Sequence, residues 1–150
     1  MIRKAILQDA RQIHKLLLIY AKDGLVLPRS LMDIFEAIRD FYVFVEGERV
    51  VGAAALNICW EDLAEVRSLV VDQECGGRGI GRHLVQACVA EARQLGIGRV
   101  FALTYQKEFF EKLGFEVIEK SELPQKIWGD CIKCAKFPEC DEIALSLSLK

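Results

Sequence analysis

Apolar and polar positions along this chain change rhythm several times, and each change marks an element. Ile2 to Ile6 reads as a short first strand. Beyond Gln8-Asp9, the residues Ile13, Leu16, Leu17 and Tyr20 fall three and four apart, which predicts a helix with one buried face ending near Gly24. Pro28 forbids its continuation through the connector that follows, and Ser30 can cap a second helix, Leu31 to Ile38. Two apolar runs, Phe41 to Glu46 and Arg49 to Leu56, flank Gly47-Glu48 at the spacing of a tight hairpin. Asn57 to Leu63 is expected to link that hairpin to a further strand, Val66 to Val71.

Past a turn at Asp72-Gln73-Glu74-Cys75, the residues Leu84, Val85, Cys88, Val89 and Ala92 share one face of a long helix, which Gly96-Ile97-Gly98 stops. A strand from Arg99 to Leu103, a helix from about Gln106 to Leu113 and the short run Phe115-Glu116-Val117 follow. Glu142 to Leu149 alternates Ile143, Leu145, Leu147 and Leu149 with polar or small residues, the pattern of a strand with one buried face. At 150 residues and 52% hydrophobic, the chain suits one domain, residues 1–150, with a full core, and is short for two.

Charge narrows the partners. Twenty basic against twenty-two acidic residues, without long like-charged runs, recruit neither nucleic acid nor a membrane surface. Met1-Ile2-Arg3-Lys4 has no apolar export segment behind it and no stretch is long enough to span a bilayer, so a soluble, cytoplasmic protein is expected. In that compartment Cys59, Cys75 and Cys88 read as reduced, buried thiols.

The chemistry centres on Gly76-Gly77-Arg78-Gly79-Ile80-Gly81, which joins a strand to the long helix. A helix start has N–H groups without intrahelical partners and the positive end of the helix dipole, and glycines let an anion come close. Arg82 and His83 stand where a nucleotide-triphosphate loop needs Lys then Ser or Thr, and Leu84 stands where a dinucleotide loop needs a small residue. What remains resembles the acyl-CoA pyrophosphate loop of the GCN5-related N-acetyltransferase (GNAT) family. The run Phe109-Phe110-Glu111-Lys112-Leu113-Gly114-Phe115 resembles that family's closing signature, with Phe110 where tyrosine is usual, and Gly76 stands where the loop usually opens on Gln or Arg.

The resemblance implies an α/β (α+β) GNAT fold: a mixed, mostly antiparallel sheet of about six to seven strands flanked by about four helices, splayed between its fourth and fifth strands. It implies that acetyl-CoA is the co-substrate. Leu69, Val70 and Val71 would offer backbone groups to its pantetheine arm, Gly76, Gly77, Arg78, Gly79, Ile80, Gly81 and Arg82 would hold the pyrophosphate, and Phe109 and Phe110 would lie beside it. Glu65 matches the family position of a glutamate that acts as base, directly or through water. Tyr105 is the phenol near enough in sequence to stand in as proton donor for the thiolate.

The acceptor is an amine. Arg67 lies two residues after Glu65 and so shares its strand face, and a guanidinium there suits an acceptor that carries a carboxylate. Arg29, ahead of Ser30 in the connector, resembles an arginine that holds a glutamate carboxylate in the acetyltransferase domain of N-acetylglutamate synthases, and the segment from Leu123 to Ala144 resembles the short, stand-alone form of that enzyme. With no arginine after Arg99, Lys126, Lys133 or Lys136 would complete the pocket. The resemblance thus implies acetylation of the α-amine of L-glutamate by direct transfer, the first step of arginine biosynthesis. Another amino acid, a small amine or a protein N-terminus as acceptor, and a non-catalytic acyl-CoA sensor, stay open as alternatives, as does a homodimer. Cys131, Cys134 and Cys140 have a spacing that fits zinc, with Asp141, His14, His83 or another cysteine as the candidates for a fourth ligand, but unligated thiols are favoured over zinc or a reversible disulfide.

Overall fold

The computed structural model describes residues 1–23, 29–123 and 142–149. Its frame is a seven-stranded sheet made of β1 (Ile2–Lys4), β2 (Phe41–Glu46), β3 (Arg49–Trp60), β4 (Leu63–Val71), β5 (Arg99–Thr104), β6 (Glu116–Ile118) and β7 (Ile143–Ser148). The spatial order is β1-β2-β3-β4-β5-β7-β6, antiparallel throughout except for the parallel pair β4-β5. Four helices flank it: α1 (Ala10–Lys22), α2 (Leu31–Glu36), α3 (Ile80–Gln94) and α4 (Lys107–Lys112). This is the splayed, mostly antiparallel architecture expected from the sequence.

Each face of the sheet carries its own core. On one face, Ile80, Leu84, Val85, Cys88 and Ala92 of α3 pack with Phe110 of α4 onto Val51, Ala54, Leu56, Ala64 and Val66. Gly52 makes the close approach of α3 to β3 feasible: a Cβ there would stand 2.9 Å from Ile80 Cγ2 and 3.0 Å from Leu84 Cδ1. On the other face, Ala10, Ile13, Leu16 and Leu17 of α1 and Ile34 of α2 cover Phe41, Val43, Ala53, Ala55 and Val70. Ser30 caps α2 as the sequence suggests, its hydroxyl accepting from the Asp33 N–H at 3.0 Å while Asp33 accepts from the Ser30 N–H. The first helix starts where the sequence places it, at Ala10 directly after Asp9. Asp9 is buried and its carboxylate accepts from the Ile6 N–H at 2.8 Å and, bidentately, from Arg3.

The largest departure from the sequence reading is at the β3-β4 hairpin. The segment expected to link the strands is itself strand: β3 runs on to Trp60, β4 begins at Leu63, and Glu61-Asp62 alone join them. Asn57, a poor strand former, concealed this continuity, but its partner across the ladder is Glu65. β4 and β5 pair over Leu63, Ala64 and Glu65 alone, opposite Arg99, Val100 and Phe101. Beyond Glu65 the two strands part.

Candidate active site

The glycine loop closes onto α3 through two left-handed residues, Gly77 at φ 79° and Gly79 at φ 75°, which caps the helix. Side chains would meet no obstacle at Gly77, so conformation rather than space calls for glycine there. The first helical bond of α3 runs from the His83 N–H to the Gly79 carbonyl at 3.1 Å, which leaves the N–H groups of Ile80, Gly81 and Arg82 pointing off the helix end. Gly77, Arg78, Gly79 and Arg82 are exposed, so an anion has access to these donors. The Arg78 guanidinium is engaged by Glu46 at the end of β2, bidentately, with Nη1 at 2.9 Å from Oε1. That contact holds the Glu46 carboxyl below the usual carboxylate range.

A bulge shapes the edge of β4 in the splay. Ser68 adopts φ 57°, outside the normal range for a residue with a side chain, and the β3-β4 register shifts between Ala53 and Ala55 at this point. Asp72 N–H bonds the Val51 carbonyl at 2.8 Å, so Val71 and Gly52 form a non-hydrogen-bonded pair and the backbone groups of Val71 point off the outer edge. Val70, the next residue in the alternation, is turned to Ala53 of β3. The Tyr20 hydroxyl from the last turn of α1 takes up both outward groups: it donates to the Val71 carbonyl at 2.5 Å and accepts from the Val71 N–H at 3.2 Å. The sequence pattern assigned Tyr20 to the helix's apolar face and gave no sign of this polar role.

On the α1/α2 side of the sheet a cavity of ≈ 270 Å³ opens between the sheet and α2. Arg29 and Arg67, singled out in the sequence from separate segments, both line it, as does Ser68 of the bulge. Asp33 and Glu36 of α2, Asp40 just ahead of β2 and Asn57 of β3 complete its polar wall. Glu65 stands beside Arg67 on the same strand face, its Oε1 3.8 Å from Arg67 Nη1, with both side chains largely buried at 12% and 20% exposure. Burial pushes the Asp40 carboxyl above its ordinary value, outweighing the opposite pull of Arg67, of the Asn57 hydrogen bond and of Lys4. Asp40 and Asn57 were not singled out in the sequence. The one available signal was an acid set directly against a strand as apolar as Phe41 to Val45.

The remaining candidates fall as follows. Phe110 is 3% exposed and packs edge-on against Phe109 and Phe115, with ring centroids 5.1 Å apart in each pair, so the aromatic at the family's tyrosine position is a core residue here. Phe109 is half-buried beside Gly81, where a Cβ would come within 3.3 Å of its ring. Tyr105 is half-buried just past the end of β5, on the far side of the splay. Lys133, with Lys126 and Lys136, and the cluster Cys131, Cys134 and Cys140 lie outside the described residues. Among the described residues no group of His, Cys, Asp or Glu is arranged to hold a metal, Cys59, Cys75 and Cys88 are buried, and no helix is long and apolar enough to cross a membrane.

A strand pair splayed around a bulge, with a glycine loop opening a helix at one end and an amine-sized cavity at the other, is the layout of an acyl-CoA N-acyltransferase. The sequence profile of the Acetyltransferase (GNAT) family matches residues 10–115, and the chain belongs to that family. An uncharacterized N-acetyltransferase of Chlorobaculum tepidum is 43% identical over 148 residues, 99% of this chain and 96% of that protein. An amino-acid acetyltransferase of Mycobacterium tuberculosis is 34% identical over 132 residues, 86% of this chain and 75% of that protein. Among solved structures, a Mycobacterium tuberculosis protein in complex with CoA and NLQ superimposes with a TM-score of 0.87 at 28% identity, covering 100% of this chain and 99% of that one. The N-acetylglutamate synthase of Neisseria gonorrhoeae complexed with coenzyme A and N-acetyl-glutamate superimposes with a TM-score of 0.91 at 27% identity, covering 100% of this chain but 35% of that one. The chain is a GNAT acetyltransferase with acetyl-CoA as its co-substrate.

Proposed function

We propose that this acetyltransferase acts on the α-amine of an amino acid, L-glutamate in the first place, and so supplies the entry step of arginine biosynthesis. The observation that carries the reading is the convergence of Arg29 and Arg67 on one cavity that Ser68 of the β4 bulge also lines. Two guanidiniums are suited to two carboxylates, and the bulge is where the thioester would meet the amine. The mycobacterial amino-acid acetyltransferase and the gonococcal N-acetylglutamate synthase support the same acceptor class.

In this reading the glycine loop and the start of α3 bind the pyrophosphate, and the pantetheine arm lies along the outer edge of β4 at Leu69 and Val71. Glu65, directly or through water, takes the proton that the ammonium must lose. The amine then attacks the thioester carbon, and a backbone N–H at the bulge stabilises the oxyanion that forms. Collapse breaks the C–S bond, and the thiolate of CoA takes a proton from Tyr105 or from water.

The cavity also carries three carboxylates, Asp33, Glu36 and Asp40, against its two arginines. That balance favours, as a second reading, an amino acid with an uncharged side chain. Thiol release from acetyl-CoA measured against each of the twenty amino acids decides between them. Arg29→Ala and Arg67→Ala should each raise KM for the amino acid by about tenfold or more, the loss of a charge-assisted contact, with KM for acetyl-CoA little changed. An equal rise in both constants would remove the carboxylate role of the arginines, and binding of acetyl-CoA without turnover on any amine would favour a sensor.

A further inference from the structure

The acceptor cavity is built for a zwitterion rather than for an anion, and the half for the cation centres on one residue. Its arginines account for carboxylates, yet its acids outnumber them. These acids are not equivalent. Asp33 is occupied in capping α2, its carboxylate accepting from the Ser30 N–H, and it is exposed, as is Glu36. Asp40 is half-buried against the sheet, sharing the cavity wall with Asn57 and Arg67.

The cations around Asp40 have other commitments. Arg67 also faces Glu65 from the same strand. Lys4 of β1 bonds the Arg39 carbonyl and Glu91 of α3, which itself adds negative charge near Asp40. Asp40 and Glu65 thus both act on Arg67, and Asn57, the cross-strand partner of Glu65, lines the cavity with Asp40. An amino acid that brings a carboxylate to Arg29 and Arg67 places its ammonium among these groups, where an added positive charge relieves the excess of carboxylate.

We propose that Asp40 is the residue that binds the acceptor's ammonium and makes the enzyme select an unblocked α-amine. This rests on the amino-acid reading of the cavity. A site that hydrogen-bonds a substrate N–H leaves its own polar group unmatched when the analogue lacks it, so discrimination at such a position is strong. Asp40 receives the ammonium, and Glu65, nearer the thioester edge of the sheet, accepts the proton that leaves it.

The test is calorimetric binding to CoA-loaded protein of two ligands that differ in the amine alone, L-glutamate and glutarate. Wild-type protein should bind L-glutamate more tightly than glutarate. Asp40→Asn should weaken L-glutamate by about tenfold or more, as expected for one charge-assisted hydrogen bond, and leave glutarate unchanged or tighter, since an anion beside Arg67 is removed. Asp40→Glu should recover part of the loss. Equal weakening of both ligands would make Asp40 a structural strut, and an unchanged preference would mean that the ammonium binds elsewhere; either overturns the proposal while the amino-acid reading stands. Failure of wild-type protein to bind these ligands or any other of the twenty amino acids overturns that reading and, with it, the role of Asp40.

Discussion

Asp40 keeps a carboxylate in a half-buried position at a cost to the fold. Burial raises its pKa over the folded chain's compensating contacts, so between its ordinary value of 3.8 and the higher folded value the native state binds more protons than the unfolded one. Stability therefore falls as pH rises through that window and stays lower above it. Solvent on the open side of the cavity limits the size of the effect. Asp40→Asn removes the charge and should raise Tm at pH 7 by about 1–3 °C, with the gain shrinking as pH falls through that window and vanishing only well below 3.8, where the wild-type carboxyl is protonated in both states. A melting curve at each pH checks it. A lower Tm at neutral pH would show that the carboxylate supports the fold, whereas a gain in stability joined to a loss of amino-acid binding is the signature of a residue kept for function.

At the level of elements, the contact between α1 and the outer edge of β4 ties the donor side of the site to the acceptor side. Tyr20 fills both backbone groups of Val71, which the pantetheine arm is expected to use, and α1 precedes in sequence Arg29, which lines the cavity. Tyr20→Phe removes the competitor. Acetyl-CoA should bind about fivefold tighter, the equivalent of one net hydrogen bond of about 1 kcal/mol, while the free protein melts lower because Val71 loses its partners. Titration of CoA into both proteins gives the comparison; weaker binding to Tyr20→Phe would mean that Tyr20 stays on Val71 with the arm in place. The sequence pattern revealed α1 and its apolar face but not this hydroxyl, since a helical tyrosine three residues past Leu17 looks the same whether its tip meets water or backbone. In the same way Asn57 hid the last four residues of β3. Propensity disfavoured strand there, and the pairing with β4 that overrides it is a tertiary fact.

Across the whole molecule, what was legible was the order of elements and the loop, because both rest on local signals: periodicity, glycine and helix caps. The glycine loop read at residues 76–81 is there, although α3 takes over from Ile80, and Arg29 and Arg67, far apart in sequence, share a cavity. The acids opposite them were not legible, because a carboxylate's surroundings depend on which strands and turns come together. The splay has the same origin: seven strands form one sheet, yet β4 pairs with β5 only through Glu65, so the outer edge of the remaining strand waits for a ligand in place of a strand. Such an edge predicts where binding should protect the backbone. In amide exchange, acetyl-CoA should slow Leu69 and the amides of residues 77–82 by far more than those of Leu63, Ala64 and Glu65, which lie where β5 already pairs with β4. Val71 should change less than Leu69, since Tyr20 already partners its N–H in the free protein. Ligand at a hundred times its Kd stabilises the native state by about 2.7 kcal/mol, so globally opening amides should slow by a common factor of about a hundred. The local slowing at Leu69 and the loop must stand above what global stabilisation gives. Equal protection factors throughout the sheet would mean that the arm does not lie along β4.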